Sequence, residues 1–174
     1  MDEKARELLK TIFSYIFIIA AVIFIRIFII DPVRVDGPSM NTTLANGEIM
    51  LLNKLAYIRH DIKRFDIVVI KSNNKLIIKR VIGLPGEIIE YKDNVLYING
   101  KKVNDPYPST ATDDFTIGDI GHVKVPGDTY FVMGDNRSDS LDSRYPSVGV
   151  IKKDQILGKA KLVLWPINRF GFVK

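Results

Sequence analysis

The chain has 174 residues, 47% of them hydrophobic and 26% charged, with a formal net charge of +5. This is enough chain for a membrane segment and one domain with a real core, and its composition excludes a disordered protein. Cysteine is absent, which rules out disulfides, thiol nucleophiles and thiolate metal sites; the modest basic balance suits an anionic lipid surface, and with no nucleic-acid-binding motif beside it, nucleic acid is not expected as a partner.

The first element in chain order is "TIFSYIFIIAAVIFIRIFII", residues 11–30, whose only non-apolar members are Thr11, Ser14 and Arg26. Twenty helical residues span about 30 Å, the thickness of a hydrocarbon core. Ile and Phe fall on every face, so a transmembrane helix is expected. The run is too long for a cleaved signal and ends in "FIIDPVRVD" with no small-x-small site, so it reads as an anchor. Lys4, Arg6 and Lys10 precede it, whereas the twenty residues beyond it carry only Arg34. Positive-inside counting then gives a short cytoplasmic N-terminus (1–10), a single-pass anchor in the cell membrane (11–30) and an extracytoplasmic domain (31–174).

Directly after the anchor comes "VDGPSMNTT", residues 35–43. Taken alone, it is a turn-forming linker or a helix cap. Beyond it lie short apolar runs broken by turns: "IMLLNKLAY", "FDIVVIK", "KLIIKRVIG", "GEIIEYKDNVLYINGKKV", "HVKVPGDTYFVMGDN" and "AKLVLWPI". Asp93-Asn94 and Asn99-Gly100 are turn pairs flanking "VLYI", which predicts a three-stranded meander. A mainly β domain is expected, with a short helical turn near "KKDQI" and an irregular surface loop over 104–121.

Within "KLIIKRVIG" a strand would set Ile77, Lys79 and Val81 on one face and Leu76, Ile78, Arg80 and Ile82 on the other. Both faces are apolar apart from the central Lys-Arg pair. Two readings fit: an edge strand that uses charge against aggregation, or a buried strand whose cations have a task. A buried Arg80 needs carboxylates. A buried Lys79 can instead lose its proton and become a general base, a form open to only about one in 10³ unshifted lysines at neutral pH. "MGDNRSDSLDSRYPSVG", residues 133–149, is by composition a solvated loop, yet it supplies both carboxylates and hydroxyls. A nucleophile, a base and an orienting group would make a Ser-Lys hydrolase. His60 and His122 lack metal-ligand spacing and read as surface residues, although a histidine-containing triad is not formally excluded.

"GPSM", "KRVIGLPGE" and "GDNRSDSLDSR", in this order behind one anchor, resemble the type I signal peptidases, and the likeness runs on to "LWPINRFG". The resemblance implies a curled, mostly antiparallel β domain and endoproteolytic removal of signal peptides from exported preproteins at the phospholipid membrane, without cofactor or metal. It implies Ser39 as nucleophile, with its backbone N–H in the oxyanion hole, Lys79 as general base and Ser140 as the hydroxyl that orients the lysine. It further implies a structural charge network of Arg80, Asp135, Asp142 and Arg144, with Arg80 facing Asp135. Val35, Met40 and Ile77 are candidates to line shallow pockets for small side chains at the first and third positions before the cut. Two positions depart from the family pattern: Thr42 stands where Pro is usual, and Gly37 where some members have an oxyanion-assisting Ser. The alternatives are a Ser-Lys protease of related fold acting on itself or one regulator, and an inactive membrane-anchored binding module. Oligomeric state is left open.

Overall fold

The computed structural model describes residues 3–72 and 75–173. A single α-helix, α1, runs from Glu3 to Phe28, and its stretch Arg6–Phe28 is long and apolar enough to cross a membrane. The helix starts ahead of the apolar run because Glu, Lys, Arg and Leu are good helix formers. It also stops before the run does, so Ile30 belongs to a strand rather than to the helix. The cause is Pro32, which cannot continue a helix and biases Asp31 toward extended backbone. Lys54 closes the helix end. Its Nζ donates to the carbonyls of Arg26 and Ile27, each at 3.1 Å, and lies 3.2 Å from Asp31 Oδ2. Two carbonyls without helical partners are thereby satisfied by a cation at the negative end of the helix dipole.

The rest is β. In chain order the strands are β1 (Ile30–Arg34), β2 (Ile49–Asn53), β3 (Ile67–Ser72), β4 (Lys75–Gly83), β5 (Ile89–Lys92), β6 (Val95–Ile98), β7 (Lys101–Val103), β8 (Phe115–Thr116), β9 (Thr129–Met133), β10 (Ile151–Lys152), β11 (Ile156–Trp165) and β12 (Gly171–Phe172). The larger sheet has the order β1-β2-β11-β3-β4-β9-β10, with β12 beside β11; the smaller is β7-β6-β5-β8. Every described pairing is antiparallel. Pro32 is tolerated in β1 because that strand forms an edge and no ladder bond is lost on its outer side.

The expected meander is present as β5, β6 and β7. Its two turns put Asp93, Asn94, Asn99 and Gly100 at positive φ, the backbone that tight two-residue hairpins require. At "KKDQI" the chain makes a 3₁₀ turn over Lys153–Gln155. The segment 104–121 is less irregular than its composition suggested: it contributes β8 and a 3₁₀ turn, Ile117–Ile120.

Two of the apolar clusters support the regions that carry the polar residues of interest. One gathers Val33, Val35, Met40, Leu44, Met50 and Leu52 under the turn that carries Ser39. Another joins the sheets, with Ile82 and Phe131 of the larger packed on Ile89, Tyr91 and Leu96 of the smaller. Burying one such side chain contributes about 1.5–3 kcal/mol, so both the Ser39 turn and the junction of the sheets rest on a substantial core.

Candidate active site

β4 is the central positioning element. It is an interior strand, between β3 and β9, and its last residues are buried on both faces, Val81 in one apolar cluster and Ile78 and Ile82 in others. Lys79 and Arg80, adjacent in sequence, therefore project to opposite sides of the sheet, both out of water, with Lys79 4% and Arg80 1% exposed. The edge-strand reading is thus incorrect.

Lys79 faces a cleft of about 430 Å³, whose lining also includes Ser39, Val35, Met40 and Ile77. Its Nζ donates a 3.0 Å hydrogen bond to Ser140 Oγ. Burial is the largest influence on the amine and carries it from an ordinary 10.5 down to about 8. The nearby Asp142 carboxylate pulls upward against burial, and the Arg144 guanidinium adds to the lowering. At pH 7 roughly one such lysine in ten is neutral, against about one in 10³ without the shift.

Ser39 sits on a turn closed by Asn41 N–H to Pro38 O at 2.9 Å and by Leu44 N–H to Met40 O at 2.8 Å. Burial of Met40 beneath the turn fixes its depth. The Ser39 carbonyl accepts from Asn136 N–H at 3.0 Å, whereas the Ser39 Oγ and N–H donate to no other group among the described residues. Gly37, at φ +96°, lets the chain reverse just before the serine, and its N–H donates to Asn46 Oδ1 at 3.0 Å.

On the far side of the sheet Arg80 grips Asp135 with both arms, Nε to Oδ1 at 2.8 Å and Nη2 to Oδ2 at 2.7 Å. Its third arm donates to Phe65 O at 2.9 Å, and the guanidinium lies 3.5 Å from the centre of the Tyr107 ring. Thr43 Oγ1 donates to the same Asp135 at 2.5 Å, so the buried ion pair is tied to the Ser39 turn. Asp142 accepts from Arg144 Nε at 2.9 Å and from Gly134 N–H at 3.0 Å. Arg144 in turn donates to Arg137 O at 2.6 Å, bracing the loop that presents Ser140.

Sequence reasoning did not find several partners of these groups. Arg137 is buried, donates to Asp105 at 2.6 Å, to Tyr91 OH at 2.8 Å and to Thr112 Oγ1 at 3.1 Å, and so roots the Ser140 loop in the smaller sheet. An arginine among three aspartates was the available signal for it; its partner Asp105, in a segment read as surface loop, gave none. Ser109 of the same segment donates its N–H to Asp135 O at 2.8 Å and its Oγ to Asn41 O at 2.5 Å. Gly134 is a further case, since a methyl group there would overlap Ser39 O and Ser140 Oγ.

Fold and cleft together define a mainly β protein with an apolar N-terminal helix and a hydroxyl–amine pair on one groove. The chain belongs to the family described as signal peptidase, peptidase S26, which matches residues 6–165. Signal peptidase I of Bacillus caldolyticus is 42% identical over 165 residues, 88% of this chain and 90% of its own length. Signal peptidase I T of Bacillus subtilis (strain 168) is 44% identical over 160 residues, 87% of this chain and 82% of its own. Among solved structures, a signal peptidase I from Enterococcus faecalis V583 superposes with a TM-score of 0.53 at 38% identity, covering 57% of this chain and 97% of that one. The protein is accordingly a type I signal peptidase, a serine endopeptidase.

Proposed function

We propose that this chain removes N-terminal signal peptides from exported preproteins with Ser39 as nucleophile and Lys79 as general base. The observation that carries the reading is a buried lysine, held 3.0 Å from Ser140, on the same cleft as Ser39. Neutral Lys79 takes the proton of Ser39 Oγ as that oxygen attacks the scissile carbonyl. The Ser39 N–H, without a partner among the described residues, donates to the oxyanion that develops. The Lys79 ammonium then protonates the departing amine, and water, deprotonated by the same lysine, hydrolyses the acyl-enzyme. Ser140 keeps the lysine aimed. The pairs Arg80–Asp135 and Arg144–Asp142 hold the two segments that meet β4 here, and losing one partner of such a buried pair costs about 3–5 kcal/mol.

The substrate lies extended along the cleft, so alternate side chains meet Val35, Met40 and Ile77, and small residues at the first and third positions fit best. The apolar helix anchors the protein in the membrane, with the N-terminus in the cytoplasm and the β domain outside; the cations Lys4, Arg6 and Lys10 before the helix support that orientation.

The test is cleavage of a signal-type peptide with Ala at those two positions. Ser39→Ala and Lys79→Ala should each abolish turnover, and the double variant should be little worse than either, because the two groups act as one unit. Activity above a few per cent in Lys79→Ala would mean another group serves as base.

A further inference from the structure

The turn that bears Ser39 is gripped from outside the site by a residue near the far end of the sequence. Arg169 ends a 3₁₀ turn, Ile167–Arg169, that links β11 to β12. Its Nε lies 2.8 Å from Glu48 Oε1, and its Nη2 donates to Thr43 O at 3.1 Å. Glu48 is 3% exposed, and its Oε2 is buried without a hydrogen-bond partner among the described residues. Arg169 is the only described cation in contact with that carboxylate.

Both contacts bear on the segment between β1 and β2. At its base Val35 N–H donates to Glu48 O at 2.8 Å and Gly47 N–H to Val35 O at 2.9 Å; Val35 lines the cleft. On its outer limb Thr43 is the residue whose hydroxyl reaches Asp135. Its neighbour Leu44 closes the turn onto Met40, next to Ser39. One guanidinium therefore pins the segment at two points, with Ser39 between its two ends. A buried carboxylate that loses its partner moves toward water, and movement of Glu48 would draw Val35 with it.

We infer that Arg169 is a positioning residue for the reaction: through Glu48 and the Thr43 carbonyl it holds the Ser39 turn in attacking geometry. The inference rests on the reading of Ser39 as nucleophile. It predicts a loss chiefly in the chemical step, because Arg169 stands outside the cleft and both of its contacts brace the segment that carries Ser39, while any shift of Val35 changes substrate binding only slightly.

The experiment compares full-length wild type, Arg169→Gln, Arg169→Lys and Ser39→Ala by peptide turnover, by the rate of covalent labelling with a small fluorophosphonate, and by thermal melting. Arg169→Gln should lower kcat about tenfold, leave KM within about twofold, and slow labelling by the same factor as kcat. Lysine can pair with Glu48 but has no second arm for Thr43 O, so Arg169→Lys should regain about threefold of that loss. Values of kcat and labelling within about twofold of wild type in Arg169→Gln, or a loss confined to KM, would overturn the inference whatever the melting temperature does. Should Arg169→Gln fail to fold, the lysine variant decides: a folded protein with wild-type kcat and labelling overturns the inference, and slowed values sustain it. Labelling that persists in Ser39→Ala would overturn the nucleophile reading itself, and the inference with it.

Discussion

Lys79 is only 4% exposed and its ammonium touches no carboxylate among the described residues, which makes it a costly ion, and the side chain keeps part of its population neutral for that reason. The same cost should be visible in stability. The folded-state pKa is near 8 and the ordinary value 10.5, so below pH 8 both folded and unfolded chains carry the proton and the full penalty is present. Between pH 8 and 10.5 the unfolded chain holds more protons than the folded one, so this group makes stability rise with pH, until the penalty vanishes. Lys79→Met should be inactive yet melt above wild type at pH 7, by up to about 3 kcal/mol in stability, and calorimetry across pH 7 to 10 should show that gap closing. Gly37 yields the opposite sign. At φ +96° a Cβ meets open space, so the cost of adding one is in the backbone alone, about 1–2 kcal/mol. Gly37→Ala and Gly37→Ser should both lower kcat several-fold and equally. A serine variant several-fold faster than the alanine one would show that its hydroxyl reaches the oxyanion.

At the scale of elements, the site is made where three segments meet: the turn after β1, the strand β4 and the loop after β9. Gly134, at the head of that loop, has no room for a side chain because the Ser39 carbonyl and the Ser140 hydroxyl crowd it from two sides. Gly134→Ala should therefore push Ser39 and Ser140 apart. Peptide turnover should drop at least a hundredfold, with stability reduced by about 1–3 kcal/mol from overpacking; near-normal turnover would mean the loop yields more freely than its packing indicates. The sequence disclosed β4 and its lysine because a strand apolar on both faces makes a central cation conspicuous. It disclosed the meander because Asp93-Asn94 and Asn99-Gly100 are turn pairs. It hid the segment around Tyr107, Ser109 and Thr112, whose polar and proline-rich composition matches a surface loop while its contacts are long-range: stacking on Arg80, hydrogen bonds to Asn41 and Asp135, and a brace on Arg137. Strand β1 was obscured in another way, by a proline that only an edge position tolerates. Spacing along a chain carries no record of partners twenty-five or more residues away.

Across the whole molecule, the helix stretch Arg6–Phe28 has no buried residue, and the helix meets the β domain at its C-terminal end, where Lys54 caps it and Asp31 lies beside Arg26 and Lys54. If the anchor is oriented as proposed, protease added outside intact spheroplasts should digest the β domain and spare a tag fused ahead of Met1. Protection of the β domain together with loss of the tag would reverse the orientation.

The path from the helix end to Ser39 is short. Helix α1 ends at Phe28, and the five residues of β1, laid straight against β2, advance the chain about 17 Å before the turn that carries Ser39. Even fully stretched, the stretch from Phe28 to Ser39 reaches no more than about 40 Å. Because β1 is bonded into a sheet and the helix end is clasped by Lys54, this distance behaves as a fixed gauge rather than a slack tether. If the helix sits in the membrane and Ser39 is the nucleophile, as proposed, the protein selects peptide bonds by height as well as by side chain: a bond with suitable flanking residues displayed well above that height stays out of reach, and folded exported domains can carry such bonds unharmed.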